Sequence, residues 1–289
     1  MARIDLRHPA NAQGDWFVDT RCIDCGTCRD IAPHLFGAVA GGSVVVRPPS
    51  DGETVDAWLA AQACPTSSIG TLSRQPRPGR LYPHEIEAGS GVFDCGYCSE
   101  DSFGASAWFV RRPQGNVLVD SPRFTRALAA PVAEAGGLAH VVLTHRDDVA
   151  DARRWAECFG ARVWIHEDDG GAAPFATDRV AGHDEVEVQD GLIVIPTPGH
   201  TKGSVVYLLD GRYLFTGDSL AWSHARQDLT AFRDACWWSW RAQADSLERL
   251  AQRHRFAWVL PGHGARVCGD PDDLHDRLLR LVGRMRRRR

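Results

Sequence analysis

Three cysteines at a short, regular spacing are the clearest chemical feature of the sequence. Cys22, Cys25 and Cys28 form a C-x2-C-x2-C pattern, and Cys64 follows after a long gap with Pro65 directly behind it. The chain has nine cysteines and no apolar export signal, so we expect reduced thiols and metal binding rather than a disulfide framework. Three thiolates at this spacing can hold one face of an iron–sulfur cube, and a distant fourth can complete it.

The residues around these cysteines resemble a single-cluster ferredoxin. The stretches VDTRCIDCGTCRDIAPHLFG and ACPTSSIG carry the resemblance, which covers residues 14–74. It implies a small fold of hairpins and short helices around one [4Fe-4S] cluster, or a [3Fe-4S] cluster if one iron is lost. Zinc is the competing ion, although a zinc ribbon normally shows two separate C-x2-C pairs.

Four further residues of metal-binding type stand directly after predicted strands. His145, His200, Asp218 and His263 lie at the ends of the segments HVVLTH, IPTPGH, LFTGD and LPGH. Loops at one edge of a sheet can converge although they are far apart in sequence, and the glycines near these residues allow sharp turns. We therefore expect a metal site at a sheet edge.

The same segments resemble the metallo-β-lactamase superfamily. TPGHTKGSVVYL, FTGDSL and PGHG match three of its ligand motifs in the expected order, and the likeness covers about residues 84–270. The resemblance implies a four-layer αββα sandwich with its metal site at one edge, where Asp218 bridges two metals when two are bound. Because the superfamily includes hydrolases, persulfide dioxygenases and flavodiiron oxidoreductases, the resemblance does not fix the substrate.

The first ligand motif departs from the family pattern T-H-x-H-x-D-H. The chain reads THRDDVA over residues 144–150, so Asp147 replaces the second histidine and the last two ligands are missing. A carboxylate in place of an imidazole shifts the preference from zinc towards iron or manganese. Asp147 is therefore predicted to be a ligand and a catalytic residue. Asp151 is the second catalytic candidate, in a shifted register, although Asp148 and Asp151 would also serve as helix caps.

The pattern of the chain changes after a segment rich in proline and arginine. We predict a ferredoxin-like domain over residues 1–74, a linker over 75–84 and the sandwich over 85–289. In the sandwich, Ser121 and Pro122 are expected to start a helix, and Asp210 with Gly211 indicates a tight hairpin turn. Strands that alternate with helices predict a layered α/β architecture.

Composition and charge exclude several other classes of protein. Hydrophobic residues make up 44% and charged residues 24% of the chain, as in ordinary folded proteins. No apolar run approaches the roughly 18 residues that cross a bilayer, so we expect a cytoplasmic protein with no membrane partner. The net charge is −4, although residues 277–289 contain seven arginines and no acid. We interpret this tail as a frayed, solvated helix end and expect no nucleic-acid partner.

Two smaller groups of residues remain open in interpretation. Cys95 and Cys98 form a second C-x2-C pair, which would be a redox pair, a ligand pair or two inert buried thiols, with inert thiols as the default. Trp237, Trp238 and Trp240 are expected in the core or in a pocket wall, because large rings are usually buried. The oligomeric state is not indicated by the sequence.

Three functional hypotheses fit these features. In the first, one or two iron ions at the sheet edge act on a small molecule such as dioxygen, peroxide, a nitrogen oxide or a sulfur compound, and the ferredoxin domain, reduced by an external donor, delivers electrons. In the second, zinc or a mixed metal pair activates water to hydrolyse an ester, thioester or amide, and the cluster is structural or senses redox state. In the third, the incomplete motif leaves a non-enzymatic electron-relay or binding protein. The fused electron carrier favours the first hypothesis, whereas the large number of hydrolases in the superfamily favours the second.

Overall fold

The computed structural model of the protein describes residues 2–287. The N-terminal part contains four short strands and two helices, with the bounds β1 Trp16–Val18, α1 Thr27–Ile31, β2 Phe36–Val39, β3 Gly42–Val45, α2 Thr54–Ala63 and β4 Ile69–Thr71. Strand β1 pairs with β4 and strand β2 with β3, both antiparallel. The predicted small fold of strand pairs and short helices is confirmed.

A buried asparagine joins the two strand pairs. The Nδ2 of Asn11 donates to the carbonyl of Val18 at 2.8 Å, and its Oδ1 accepts the N–H groups of Val18 and Val45 at 3.0 and 2.9 Å. Nearby, Trp16 packs edge-on against Trp58 of α2, with ring centroids 4.9 Å apart. The strands and α2 thus form one packed unit beside the cysteine loop.

The rest of the chain forms two large sheets. Seven strands make the first sheet, with the bounds β5 His84–Glu85, β6 Val92–Asp94, β7 Trp108–Val110, β8 Val117–Val119, β9 His140–Val142, β10 Arg162–His166 and β11 Asp178–Val180. They lie side by side in the order β11-β10-β9-β8-β7-β6-β5. The strands therefore follow the chain order across this sheet.

The second sheet contains most of the later strands. Their bounds are β12 Val186–Gln189, β13 Leu192–Pro196, β14 Val205–Leu209, β15 Tyr213–Gly217, β16 Ala221–Ser223, β17 Asp228–Thr230, β18 Trp258–Pro261 and β19 Val267–Cys268. The sheet order is β12-β13-β14-β15-β18-β19, while β16 and β17 pair with each other. The predicted turn between β14 and β15 is present, and Asp210 and Gly211 both have positive φ.

Four helices cover the outer faces of the two sheets: α3 Arg126–Glu134, α4 Ala152–Phe159, α5 Trp240–Arg253 and α6 Pro271–Arg287. Leu128 and Trp155 from α3 and α4 pack on the first sheet. Leu247 and Leu278 from α5 and α6 pack on the second sheet. A separate buried cluster fills the space between the sheets, including Trp108, Val142, Tyr207, Phe215 and Leu260. The αββα sandwich is confirmed.

Strand ends from both sheets meet at one edge of the sandwich. Strand β9 runs parallel to β8 and β10, and β15 runs parallel to β18. His145 lies shortly after β9, Asp218 directly after β15 and His263 shortly after β18. Parallel pairing of β15 with β18 therefore places Asp218 and His263 side by side.

One predicted helix begins later than expected. Helix α3 starts at Arg126, with Thr125 as its N-cap, whose hydroxyl accepts the N–H of Leu128 at 3.2 Å. The prediction that Ser121 and Pro122 start this helix was wrong. The carbonyl of Pro122 instead accepts a hydrogen bond from the indole of Trp155 at 2.9 Å, which fastens this segment to α4 before the helix begins.

The two parts of the chain share a hydrophobic core. Residues between β4 and β5, where the linker is predicted, form neither helix nor strand. Tyr82 in this segment is nevertheless buried, and its hydroxyl donates to the carbonyl of Leu59 at 3.1 Å. Leu59 and Ala63 of α2 belong to the same apolar cluster as Phe109 and Leu118 of the first sheet. The connection is therefore part of a packed interface, while the domain boundaries stay a prediction.

The C-terminal helix is more ordered than the arginine-rich sequence suggested. Helix α6 extends to Arg287, so the frayed end predicted from residues 277–289 does not occur over its described part, and Arg288 and Arg289 lie outside the described residues. Arg286 pairs with Asp245 and Glu248 of α5. Within residues 2–287, none of the helices is long and apolar enough to cross a membrane.

Candidate metal centre and cluster site

The structure brings the four predicted cluster cysteines together. Cys22 and Cys25 lie in the loop before α1, Cys28 lies within α1, and Cys64 directly follows α2. All four line one small cavity. Gly26 has a φ of 87°, which lets the loop turn around this cavity.

Backbone N–H groups point at two of the cysteine sulfurs. Ser43 donates to the Sγ of Cys22 at 3.4 Å, and Ser68 donates to the Sγ of Cys64 at 3.3 Å. Burial raises the pKa of Cys28 to about 12, so that a thiolate at this position needs a cation beside it. Four converging cysteines, two of them with an N–H donor at the sulfur, fit an iron–sulfur cluster.

The second group of predicted ligands converges at the edge of the sandwich. The Oδ2 of Asp147 lies 3.4 Å from the Nε2 of His200 and 3.9 Å from the Nε2 of His145. The rings of His145 and His200 are 4.7 Å apart and nearly perpendicular. The Nε2 atoms of both histidines are buried and have no hydrogen-bond partner among the described residues. Unpaired buried nitrogens that face one carboxylate fit a cation.

Asp218 lies at the centre of this group. Its Oδ2 is 3.8 Å from the Nε2 of His145 and 3.7 Å from that of His200, and its Oδ1 is 2.9 Å from the Nδ1 of His263. Burial opposes protonation of His263, but the charge of Asp218 prevails and raises its pKa to about 10. A metal ion would take the place of the Nδ1 proton. His263 therefore fits as a ligand through Nδ1 or as the group that orients Asp218.

Asp148 is the residue of this site that the sequence did not assign. It is buried, and neither of its carboxylate oxygens has a hydrogen-bond partner within the described chain. Its Oδ2 lies 3.9 Å from the Nδ1 of His145, and with His145 and Asp218 it forms a second group that could hold a metal. Burial, and then repulsion by Asp218, raise the pKa of Asp148. A buried carboxylate with no partner fits a site that binds a second cation.

The residues after Asp148 make contacts outside the group of predicted ligands. Val149 packs against the apolar core of the first sheet. The carboxylate of Asp151 accepts the N–H of Phe124 at 2.7 Å and makes no capping bond to α4. Asp151 is therefore not the side-chain cap that the sequence suggested, while its assignment as a catalytic residue stays a prediction. The two consecutive acids after His145 are the sequence feature that could have indicated Asp148 as a ligand. Asp148 is turned inward, however, only by the short 3-10 turn over Arg146–Asp148.

A buried hydrogen-bond chain fixes the orientation of His145. The Nδ1 of His145 lies 3.0 Å from the hydroxyl of Thr144, and that hydroxyl is 2.9 Å from the Oδ2 of Asp120. Burial lowers the pKa of His145 to about 4, so its ring is neutral at physiological pH. With Nδ1 engaged, Nε2 is the atom available to a metal.

Both candidate sites border the same open cavity of about 1690 Å³. Cys25 lines it from the N-terminal part, and Asp147, His200, Asp218 and His263 line it from the sandwich. Cys25 of the cluster site and the residues of the edge site therefore border one space.

Short polar contacts also connect the two sites. The Sγ of Cys25 lies 3.3 Å from the hydroxyl of Thr27, which donates to the carbonyl of Gly104 at 2.8 Å. The preceding carbonyl, that of Phe103, is 3.3 Å from the Nε2 of His263. A Cβ on Gly104 would lie 2.7 Å from the Cβ of Cys25, so a glycine is needed where the two parts meet.

The remaining cysteine and tryptophan candidates divide between core and surface. Cys95 and Cys98 are fully buried free thiols, and burial raises the pKa of each well above its usual range. This agrees with the default interpretation of inert thiols. Trp237 and Trp238 are exposed, contrary to a core position, and Trp237 and Trp240 line the large cavity.

Comparison with family sequence models identifies both parts of the chain. Residues 18–71 match the 4Fe-4S single cluster domain of ferredoxin I. Residues 94–282 match the metallo-beta-lactamase superfamily. The chain belongs to the metallo-beta-lactamase superfamily. The resemblances inferred from the cysteine spacing and from the strand-end ligands are both confirmed.

Curated relatives of this superfamily member are named as hydrolases. The hydroxyacylglutathione hydrolase of Acidiphilium cryptum is 32% identical over 117 residues, which are 39% of this chain and 48% of the relative. That of Rhodopseudomonas palustris (strain BisA53) is 32% identical over 130 residues, or 43% and 49% of the two chains. The chain thus spans about half the length of the curated relatives it matches.

Solved structures of other superfamily members share the fold. The metallo-β-lactamase DIM-1 exposed to ceftazidime aligns with a TM-score of 0.51 at 22% identity and covers 70% of this chain and 95% of its own. A metallo-β-lactamase from Hirschia baltica aligns with a TM-score of 0.51 at 18% identity and covers 68% and 96%. At this identity the likeness concerns the fold alone.

Proposed function

We propose that this superfamily member is an iron-dependent redox metalloenzyme whose own ferredoxin-like domain supplies it with electrons. The observation that carries the proposal is the contact between the two sites. Cys25 borders the same cavity as Asp147 and Asp218. The consecutive carbonyls of Phe103 and Gly104 contact His263 and Thr27, respectively. A cluster that served only as a structural support would not need to lie next to the metal centre.

The side chains at the two sites suit the proposed groups. Cys22, Cys25, Cys28 and Cys64 would hold a [4Fe-4S] cluster, and the edge site would hold one or two metal ions through His145, Asp147, Asp148, His200 and Asp218, with His263 as a ligand or an orienting group. When bound, the cluster supplies single electrons and the iron supplies an open position for a small molecule. Three aspartates around two or three histidines form a harder donor set than the usual histidine-rich site, which favours iron over zinc.

The protein residues fix and shield this centre. Thr144 and Asp120 hold the His145 ring in one orientation, so that Nε2 faces the site. The carbonyl of Phe103 accepts a hydrogen bond from the Nε2 of His263, so that the Nδ1 of the same ring faces Asp218. Asp147 is about 42% exposed and faces the cavity, so we propose that it lies beside the incoming molecule. A cytoplasmic location suits this function because thiols are kept reduced there.

A metal-dependent hydrolase of esters, thioesters or amides is the second candidate. The specific observation in its favour is that the curated relatives are named hydroxyacylglutathione hydrolases. In that case the edge ions would be zinc or a mixed pair and would lower the pKa of a water molecule, while the cluster would have a structural or sensing role.

Metal analysis and a single-turnover assay separate the two candidates. We expect protein purified without oxygen to contain cluster iron and sulfide, and more iron than zinc at the edge site. Reduction with dithionite lowers the cluster absorbance at about 400 nm. After removal of excess reductant, mixing with dioxygen should restore this absorbance faster in the parent protein than in protein whose edge metal has been removed, because the electron then leaves the cluster through the edge metal. Two tightly bound zinc ions, together with thioester hydrolysis that is indifferent to cluster reduction, would establish the hydrolase instead.

A further inference from the structure

Two exposed aromatic rings stand beside the edge metal centre. The ring of Trp237 lies 6.3 Å from that of His200, and the ring of Phe103 lies 6.2 Å from that of His263, centroid to centroid. Trp237 is 60% exposed and Phe103 is 53% exposed, although large rings usually bury most of their surface. Both residues line the large cavity. Uncovered rings on two sides of a metal centre indicate a ligand that covers them.

The position of Trp237 is tied to the metal centre. Its backbone N–H donates to the carbonyl of His200 at 2.9 Å, so the tryptophan and the proposed ligand belong to one connected loop structure. Three more aromatic side chains continue the cavity wall beyond it: Trp222, Phe232 and Trp240. The wall next to the centre is therefore suited to a flat ring.

One arginine of the cavity wall is suited to an anion. The wall contains five arginines, Arg29, Arg146, Arg226, Arg233 and Arg284. Three of them pair with aspartates, namely Arg29 with Asp24, Arg146 with Asp147 and Arg284 with Asp228. Arg226 donates to the hydroxyl of Thr230 at 3.4 Å, and no carboxylate of the described chain forms an ion pair with it. Its guanidinium therefore remains available for an anionic group.

We propose that the cavity binds a small anionic molecule with a flat aromatic ring, which stacks on Trp237 and directs its negative group towards Arg226. This inference rests on the proposed function, since it names the class of molecule on which the metal centre acts. The cavity volume of about 1690 Å³ exceeds the roughly 300 to 1,000 Å³ of ordinary ligand sites. The cavity therefore has room for a ring of this kind.

Binding of 2-naphthoate to the full, metal-loaded chain tests the aromatic part. Trp238 is the matched control for Trp237, because it is 49% exposed and its N–H also donates to the carbonyl of His200, at 3.1 Å, but it does not line the cavity. In calorimetric titrations we expect Trp237→Ala to weaken binding about tenfold, as loss of one stacking partner does. We expect Trp238→Ala to bind like the parent.

Two further probes separate the ring from the charge. Cyclohexanecarboxylate keeps the charge without an aromatic ring, and 2-naphthylmethanol keeps the ring without the charge. We expect both to bind at least about tenfold more weakly than 2-naphthoate. Arg226→Gln should weaken binding of 2-naphthoate but not of 2-naphthylmethanol, whereas Arg126→Gln, an exposed arginine on α3, should change neither.

The inference is overturned if the parent does not bind 2-naphthoate, if cyclohexanecarboxylate binds equally well, or if Trp238→Ala loses as much affinity as Trp237→Ala. These measurements involve no turnover. Failure of binding would therefore leave the redox proposal standing, while absence of redox activity with intact binding would reject the proposed function alone.

Discussion

The Nε2 of His263 lies 3.3 Å from the carbonyl oxygen of Phe103, one residue before the glycine against which the cluster loop rests. Two adjacent residues, Phe103 and Gly104, thus contact a candidate metal ligand and the ferredoxin-like domain, respectively. Substitutions in the Phe103–Gly104 segment can therefore distinguish the proposed redox enzyme from the proposed hydrolase.

Substitution of Gly104 should disturb the contact between the two sites. Gly104→Ala would place a Cβ 2.8 Å from the Sγ of Cys25, at a φ of 87°. We expect a loss of about 1 to 3 kcal/mol in unfolding free energy from overpacking, and slower oxidation of the reduced cluster. The control is Gly89→Ala, which shares the positive φ but has open space around it. Unchanged oxidation kinetics in Gly104→Ala would argue against electron delivery by this contact.

Loss of a cluster cysteine should leave the edge site loaded. Cys25→Ser should remove most of the brown colour, the broad absorbance near 400 nm and about four sulfides per chain, because it removes one of four thiolate ligands. Edge metal content should stay the same. Cys158→Ser is the control, since this thiol is exposed and lies outside both candidate sites. A colourless parent that contains zinc and no sulfide would rule out the cluster.

Asp148 should hold the second metal position. Asp148→Asn should lower the affinity for the second ion by about 10- to 100-fold, because it removes a buried anionic ligand. Asp151→Asn should keep full metal content and lose only about 1 kcal/mol of stability through its bond to Phe124. Equal metal content in the parent and in Asp148→Asn, measured by elemental analysis after dialysis, contradicts this assignment.

Asp218 should matter more to metal binding than Asp147. Asp218→Ala should empty the site most completely, since this carboxylate lies within 4 Å of His145, His200 and His263. Asp147→Ala should lose less metal, because Asp147 lies near His145 and His200 only. The substitution should nevertheless change the reduction potential of the remaining iron. Full metal retention by Asp218→Ala would remove the assignment of the site.

Stability should fall at mildly acidic pH because of a histidine far from the metal chemistry. The Nδ1 of His140 accepts a hydrogen bond from the indole of Trp164 at 3.1 Å. Burial lowers the pKa of His140. The unfolded chain therefore binds more protons than the folded one below about pH 6.5, so that unfolding free energy decreases as the pH falls. In thermal unfolding between pH 7 and pH 5, His140→Gln should lose part of this pH dependence. If the parent and His140→Gln had the same dependence of stability on pH, the role of His140 would be contradicted.

Much of the site could be predicted because its residues stand at strand ends. His145, His200, Asp218 and His263 each follow an apolar strand, and such residues meet wherever the strands share an edge. The cluster cysteines were predictable for a different reason, since three of them are close in sequence and geometry follows from spacing.

Other features depended on tertiary contacts that no local pattern records. Asp148 turns inward only because a 3-10 turn places it there, and Asp151 turns away because Phe124 offers an N–H. The exposure of Trp237 and the late start of α3 are also results of packing between distant segments. None of these four features can be assigned from sequence spacing alone.

The buried position of Tyr82, between Leu59 and the first sheet, has a kinetic consequence. Because this joint is packed, the ferredoxin-like domain stays beside the edge site, and electron delivery under the proposed function would require no diffusional encounter. Electron delivery should therefore be a first-order process whose rate does not depend on protein concentration or on ionic strength. Any dependence on concentration would then arise from the reaction of an external donor with the cluster.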